Sequence, residues 1–154
     1  MIEVVEAIIE FLRSKMTIAE VGYDLQKIYP DNPRSDLKDT SYPRMHILSI
    51  AAAGNDGQLG HYTQVQDFTF QFNIYTRPKI KLTIDGGVYE GAKLTKKIMS
   101  DAIELLRKYQ DDPILYGAGL YNYRLGNVYS NFPQDPTDTT EQVAFEGSWT
   151  RTVK

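Results

Sequence analysis

The side chains best suited to chemistry are few in this chain and lie far apart. His46 and His61 are its two histidines. As a metal pair they need a third ligand, which Asp56 or Asp67 would have to supply, yet no HExxH or comparable ligand spacing is present. Both are read as incidental. No GxSxG raises a serine on a strand-to-helix turn, and neither histidine has a recognisable triad partner. The adjacent carboxylates Asp111 and Asp112 stand before Pro113 and read as a solvated helix stop, not an acid/base pair. Gly117-Ala118-Gly119 lacks the Lys-Ser/Thr and the following helix of a phosphate loop. Gly54-Asn55-Asp56-Gly57 and Asp85-Gly86-Gly87 are turn chemistry. Cysteine is absent, which removes disulfides, thiolate ligands and a thiol nucleophile. The residues by themselves thus single out no catalytic, cofactor-binding or metal residues and no cofactor, and leave a small ligand-binding or enzyme domain open; that the protein is not an enzyme is what the family resemblance given below implies.

One local charge bias stands out: Arg77, Lys79 and Lys81, followed by Lys93, Lys96 and Lys97. Its plainer reading is a solvated edge, since Lys on an edge strand blocks stray pairing. Its functional reading is a polar contact to an acidic partner surface or to passing DNA. Arg77, Lys79, Lys81 and Asp85 are the candidate contact residues on that reading. Overall, 17 Lys+Arg face 20 Asp+Glu, a net charge of −3, which argues against strong non-specific binding to phosphate backbones. No apolar run approaches the ~20 residues that span a bilayer, so no membrane partner is expected. The N-terminus is acidic (Glu3, Glu6, Glu10) where a signal peptide would be basic, which argues against export by that route. The 154 residues suit one domain over 1–154 with an ordinary core. Eleven Tyr and six Phe tilt the balance toward an assembly role, because aromatics are enriched at interfaces. Tyr116, Tyr121, Tyr123 and Tyr129 have the plainer account of half-buried strand positions.

The elements that must position these residues begin with an amphipathic helix from Ile2 to about Met16. Its stripe is Ile2, Val5, Ile8, Ile9 and Leu12, with acids opposite. Ala19 to Leu25 alternates and predicts a strand. The Pro-, Asn- and Asp-rich stretch from Pro30 to Pro43 predicts a long loop. Arg44 to Ala52 is apolar on both faces and predicts a central strand, with a turn at Gly54–Gly57. Phe68, Phe70, Phe72 and Ile74 alternate with polar residues and line one face of a further strand. Val65 shares the phase of Asp67, which predicts a bulge or a sheet exit there. Lys79 to Gly87 reads as a short strand or an extended arm. The next helix, within Tyr89–Tyr109, turns Leu94, Ile98, Met99, Ala102, Leu105, Leu106 and Tyr109 inward. Leu120 to Phe132 predicts a strand, or a hairpin interrupted at Gly126-Asn127. Pro133 to Thr140 predicts a loop, and Glu141 to Val153 a final strand. The class is α+β: a two-layer, mainly antiparallel (mixed) sheet with two helices packed on one face, in the order α-β-β-β-(arm)-α-β-β.

Set in this order, the elements resemble the tail-terminator (tail-completion, or neck) proteins of long-tailed phages and archaeal viruses, the lambda terminator-like family. Three pieces carry the resemblance. The first is the N-terminal helix, then a strand and a Pro-rich loop entering Tyr42-Pro43-Arg44-Met45-His46-Ile47. The second is the Phe-Gln strand Phe68 to Tyr75, ending near Thr76. The third is the helix with Leu94, Ile98, Ala102 and Leu105-Leu106, followed by strands that end in one like Val143 to Arg151. The departures are the insertion Asp31 to Ser41 and the arm Lys79 to Gly87. The resemblance implies a structural virion protein of the tail or neck, assembled in the host cytoplasm. It would be one subunit of a homo-oligomeric ring, usually of six, that caps the tail tube, stops its polymerisation and joins it to the head. Its partners would be itself, the tail-tube protein and the neck or head-completion proteins, with DNA only as cargo through the lumen. Arg77, Lys79, Lys81 and Asp85 would then be interface or lumen contacts. The alternatives are a head-closure or neck adaptor, another tail-tube-related subunit, a small ligand-binding α+β domain, or nucleic-acid binding through the basic arm.

Overall fold

In the computed structural model of the chain, residues 2–34, 37–56, 64–130 and 140–153 are described. They form an α+β fold: a mixed, mainly antiparallel five-stranded sheet, a separate two-stranded sheet and a few helices. The chain opens with α1 (Ile2–Lys15), in which Val4, Val5, Ile8, Ile9, Phe11 and Leu12 are buried while Glu6 and Glu10 stay exposed. Three- and four-residue steps between the buried positions make one apolar stripe. Arg13 and Lys15 lie in the last turn, where the negative end of the helix dipole favours cations.

The strand expected over Ala19–Leu25 is not formed. In its place stand a one-turn helix, α2 (Ile18–Val21), and an extended stretch leading to β1 (Ile28–Pro30). The physical reason is local closure. Gly22, at φ 87, donates its N–H to the Ile18 carbonyl at 3.1 Å, and Asp24 accepts the Ile18 N–H at 3.0 Å. Backbone groups that a ladder would need are spent within the segment. The alternation still marks burial in part, since Tyr23 and Leu25 reach the core.

Four longer strands complete the main sheet: β2 (Arg44–Asp56), β3 (Gln64–Thr76) and, after an intervening hairpin and two helices, β6 (Leu120–Tyr129) and β7 (Glu141–Val153). The spatial order is β1-β2-β3-β7-β6, with β1 parallel to β2 and every other pair antiparallel. β3 and β7 pair from Gln64↔Val153 to Thr76↔Glu141 without a slip. The described part of β3 begins at Gln64, one residue before Val65, and no bulge is found there. A bulge lies instead on β2, between Ser49 and Ala51, where Ile50 is the extra residue. Val65 is a half-buried apolar residue on the opposite sheet face from Phe68. Gly54, Asn55 and Asp56, expected in a turn, belong instead to β2. The turn itself, His61 and the expected loop over 133–139 lie outside the described residues.

One sheet face carries Met45, Ile47, Phe70, Phe72, Ile74, Val143, Phe145 and Trp149, all buried in a core shared with both long helices. Phe72 stacks on Phe145 with ring centroids 4.5 Å apart, and Trp149 lies 5.0 Å from Tyr123 and 5.9 Å from Phe70. Gly147 makes room for these rings. A Cβ there would stand 2.9 Å from the Tyr123 ring and 3.1 Å from that of Phe72.

The arm is a β-hairpin, β4 (Lys81–Ile84) and β5 (Gly87–Glu90). Its two-residue turn, Asp85-Gly86, has φ 50 and 83, the left-handed pair that matches the twist of a tight hairpin. The second long helix, α3 (Gly91–Lys108), buries Leu94, Ile98, Ala102, Leu105 and Leu106, with Met99 and Tyr109 half-buried at its margin. It contacts β3 and β7, whereas α1 contacts β1, β2 and α3. Asp112 does more than end this helix. It caps α4 (Pro113–Gly117) by accepting the Ile114 N–H at 2.9 Å, with Pro113 in the first turn where a missing N–H costs nothing. β6 is one strand, not a hairpin. A register shift between Leu125 and Val128 absorbs Gly126 and Asn127.

Candidate functional site

The basic run does not act as one patch. Arg77 donates to Asp39 Oδ1 at 2.7 Å and to the Leu37 carbonyl at 2.9 Å, and its guanidinium lies 4.8 Å from the Tyr42 ring centre. It clamps the β1–β2 loop to the end of β3. The Asp39 bond, above all, raises its already high pKa. Lys81 pairs with Glu90 across the hairpin at 3.5 Å, with both side chains more than half exposed, so little energy is at stake. Lys97 is held by Asp101 at 3.0 Å, and that bond raises its pKa. Lys79 is exposed and has no partner among the described residues. Asp85 sits at the hairpin tip. Gly91 packs against Pro78, which sets the arm beside the first turn of α3 with its exposed Lys93 and Lys96.

His46 is buried, and both ring nitrogens are engaged. Arg44 Nε donates to Nε2 at 2.8 Å, and Nδ1 meets the Asp31 carbonyl, which fixes the neutral tautomer with its proton on Nδ1. Burial, then the Arg44 charge, hold its pKa below the ordinary value, with the Asp31 carbonyl pulling the other way. Tyr29 and Tyr75 flank the ring at 5.7 and 5.8 Å. A histidine so used has no free nitrogen for a metal. Among the described residues no three His, Asp or Glu side chains are grouped to hold one.

What the alternation of β3 does not reveal is how its polar face is used. Asn73 is fully buried there. Its Oδ1 accepts from Gln71 at 2.9 Å and from Gln142 at 3.2 Å, and Gln142 reaches the Tyr75 hydroxyl at 3.4 Å. Along the same face Thr69 bonds Ser148 at 2.9 Å. Asp67 accepts from Thr150 at 3.0 Å and from Arg124 at 3.4 Å. Tyr129 donates to Glu146 at 2.7 Å, which raises its pKa. These bonds run from strand to strand across β3, β7 and β6. The signal in the sequence is the choice of amides and hydroxyls, not Lys and Glu, at Thr69, Gln71, Asn73, Gln142 and Ser148. Such groups satisfy one another on a dehydrated surface.

Concavities are shallow and lie at element junctions. A cleft of about 390 Å³ separates α1 from β2 and is lined by Val5, Glu6, Pro30, Asp31, Ile47 and Leu48. A groove of about 460 Å³ runs between α3 and β6 past Met99, Ile103, Arg107 and Leu125. Deep in the core, the Tyr123 hydroxyl has no hydrogen-bond partner among the described residues. Burial pushes its pKa up to about 12, against the lowering influence of Arg107.

No protein-family model matches the chain, and no curated protein sequence matches it.

Proposed function

We propose that the chain is a structural subunit of a homo-oligomeric ring of about six copies that caps a viral tail tube, ends its polymerisation and joins it to the head. The protein works through interfaces and turns over no substrate. Its domain has two layers, with both long helices on one sheet face in the order α-β-β-β-(arm)-α-β-β. The observation that carries this reading is the sheet's second face. It is a broad, hydrogen-bonded polar surface of Gln71, Asn73, Gln142, Tyr75 and their neighbours, firm enough to dock a partner and lacking the convergent groups of an active site. The resemblance of the helix, the Tyr42-Pro43 strand entry and the Phe68–Tyr75 strand to tail terminators supplies the role. Arg77 weighs against the DNA-binding alternative, since its charge is spent within the chain on Asp39 and the Leu37 carbonyl, and for the same reason it is not offered as an interface contact.

Solution mass across a concentration series, with particles imaged by electron microscopy, tests this. Closed rings with a central hole that arrest the growth of purified tail tubes are expected. Tubes that lengthen at the same rate with the protein present would overturn the capping role.

A further inference from the structure

Many charges of this chain find a partner within it. Lys15 meets Asp112, Arg77 meets Asp39, Lys81 meets Glu90 and Lys97 meets Asp101. Glu20 and Glu146 accept from the hydroxyls of Tyr109 and Tyr129. On the polar face of the sheet Arg124 is paired with Asp67, and Arg44 is left over. Arg44 Nε donates to His46 Nε2 at 2.8 Å, and the guanidinium lies 4.7 Å from the Tyr29 ring centre. Its two terminal nitrogens have no partner among the described residues. Asp31 engages His46 through its backbone carbonyl, and no described carboxylate pairs with Arg44. The side chain is half-buried and stands opposite Tyr75 in the β2–β3 ladder, so it adjoins the bonded network of Gln71, Asn73 and Gln142.

An arginine so held is ready to receive a carboxylate. Tethered at one nitrogen and stacked on a ring, it has little freedom left to lose, and its open end offers parallel N–H groups that match two carboxylate oxygens. Arg and Tyr are also the side chains that most often dominate binding at protein interfaces. The chain carries the complementary group. Glu6 and Glu10 lie four residues apart on the exposed face of α1, and neither has a partner among the described residues. Arg13, the cation one turn along, is taken up by the Ile28 carbonyl and the Tyr29 ring. α1 packs on the core side of the sheet with Met45 and Ile47, so Glu6 and Glu10 look outward on that side, while Arg44 stands on the other. We propose that copies join head to tail through these groups, the Arg44–Tyr29 site on the sheet of one copy receiving the Glu6–Glu10 face of the next. This contact rests on the ring reading above and specifies the joint between subunits. Two different patches on opposite sides of one molecule make a heterologous contact, the kind that closes into a ring when the rotation permits.

The experiment is a double-mutant cycle read by sedimentation across a concentration series at low and high salt. One arm is Arg44→Gln, the other is Glu6→Gln with Glu10→Gln, and a third variant combines them. Each arm is expected to weaken self-association about tenfold or more. The combined variant is expected to stay within about threefold of the weaker arm, because its second change removes a contact already lost. Added salt weakens the wild type and leaves the combined variant nearly unmoved. Circular dichroism checks the fold. Should Arg44→Gln unfold, Arg44→Lys, which keeps the charge but not the fork, takes its place with the same loss expected. Arms that associate like wild type, or losses that simply multiply in the combined variant, overturn this contact and leave the ring reading standing. A wild-type chain that stays monomeric throughout the series brings down both.

Discussion

At the scale of single residues, three positions carry consequences out of proportion to their size. Gly147 stands opposite Phe70 in the β3–β7 ladder, among the rings of Tyr123, Phe72 and Trp149. The Tyr123 and Phe72 rings are themselves fully packed, so the methyl of Gly147→Ala has nowhere to go. A loss of about 1–3 kcal/mol is expected from urea unfolding. An unchanged midpoint would mean that the rings shift freely. Phe72, fully buried and stacked on Phe145, tests the opposite error. Phe72→Ala empties the centre of the core and should cost roughly 3–5 kcal/mol, and a loss below about 1 kcal/mol would show that this sheet face is not the core face. Asp101 is a buried carboxylate that accepts from the Tyr23 hydroxyl and from Lys97, each at 3.0 Å. The same contact, with burial foremost, drives the Tyr23 hydroxyl far above its usual titration range. Asp101→Ala strands that hydroxyl, and a loss of about 1–3 kcal/mol in the same assay is expected, with Tyr23→Phe recovering part of it in the double variant.

At the scale of elements, the β1–β2 loop shows how a long Pro- and Asp-rich segment is held. Lys27 reaches the Thr40 carbonyl from one side, and Arg77 reaches Asp39, Leu37 and the Tyr42 ring from the other. A residue read from its charge as a candidate partner contact is thus a tie between two parts of one chain. Arg77→Ala should raise amide exchange across 37–42 while leaving the β3–β7 ladder protected. Protection unchanged in the loop would mean that the tie carries no weight. The run Ala19–Leu25 shows the converse failure. Its alternation is real, but Gly22 and Asp24 close the backbone locally, and periodicity of side chains cannot report where N–H groups are spent.

At the scale of the molecule, His46 joins β1, β2, β3 and the loop through Tyr29, Arg44, Tyr75 and Asp31. The fold holds its ring neutral, with a pKa below the ordinary 6.5. The unfolded chain therefore takes up that proton first as the pH falls. Stability is full above about 6.5 and declines as the pH drops from there toward the folded pKa. Unfolding midpoints followed between about pH 7 and 5 should fall more steeply for the wild type than for His46→Gln. Equal slopes would mean that the His46 cage does not discriminate between protonation states.

Read alone, the residues of this chain determined the α+β class, the inward faces of both long helices and the strand faces of Phe68–Tyr75 and Glu141–Val153. Each of these follows from periodic burial, which acts within a single element and is written in side-chain type. Tertiary structure alone decided that His46 has no nitrogen to spare, that Arg77 is spent on a loop and that the polar side of β3 is a bonded network. Those features depend on pairings across many residues of sequence: Asp31 with His46, Asp39 with Arg77, Asn73 with Gln142. A donor and its acceptor carry no common periodicity, so their meeting is visible only once the chain has folded and brought them within 3 Å or so.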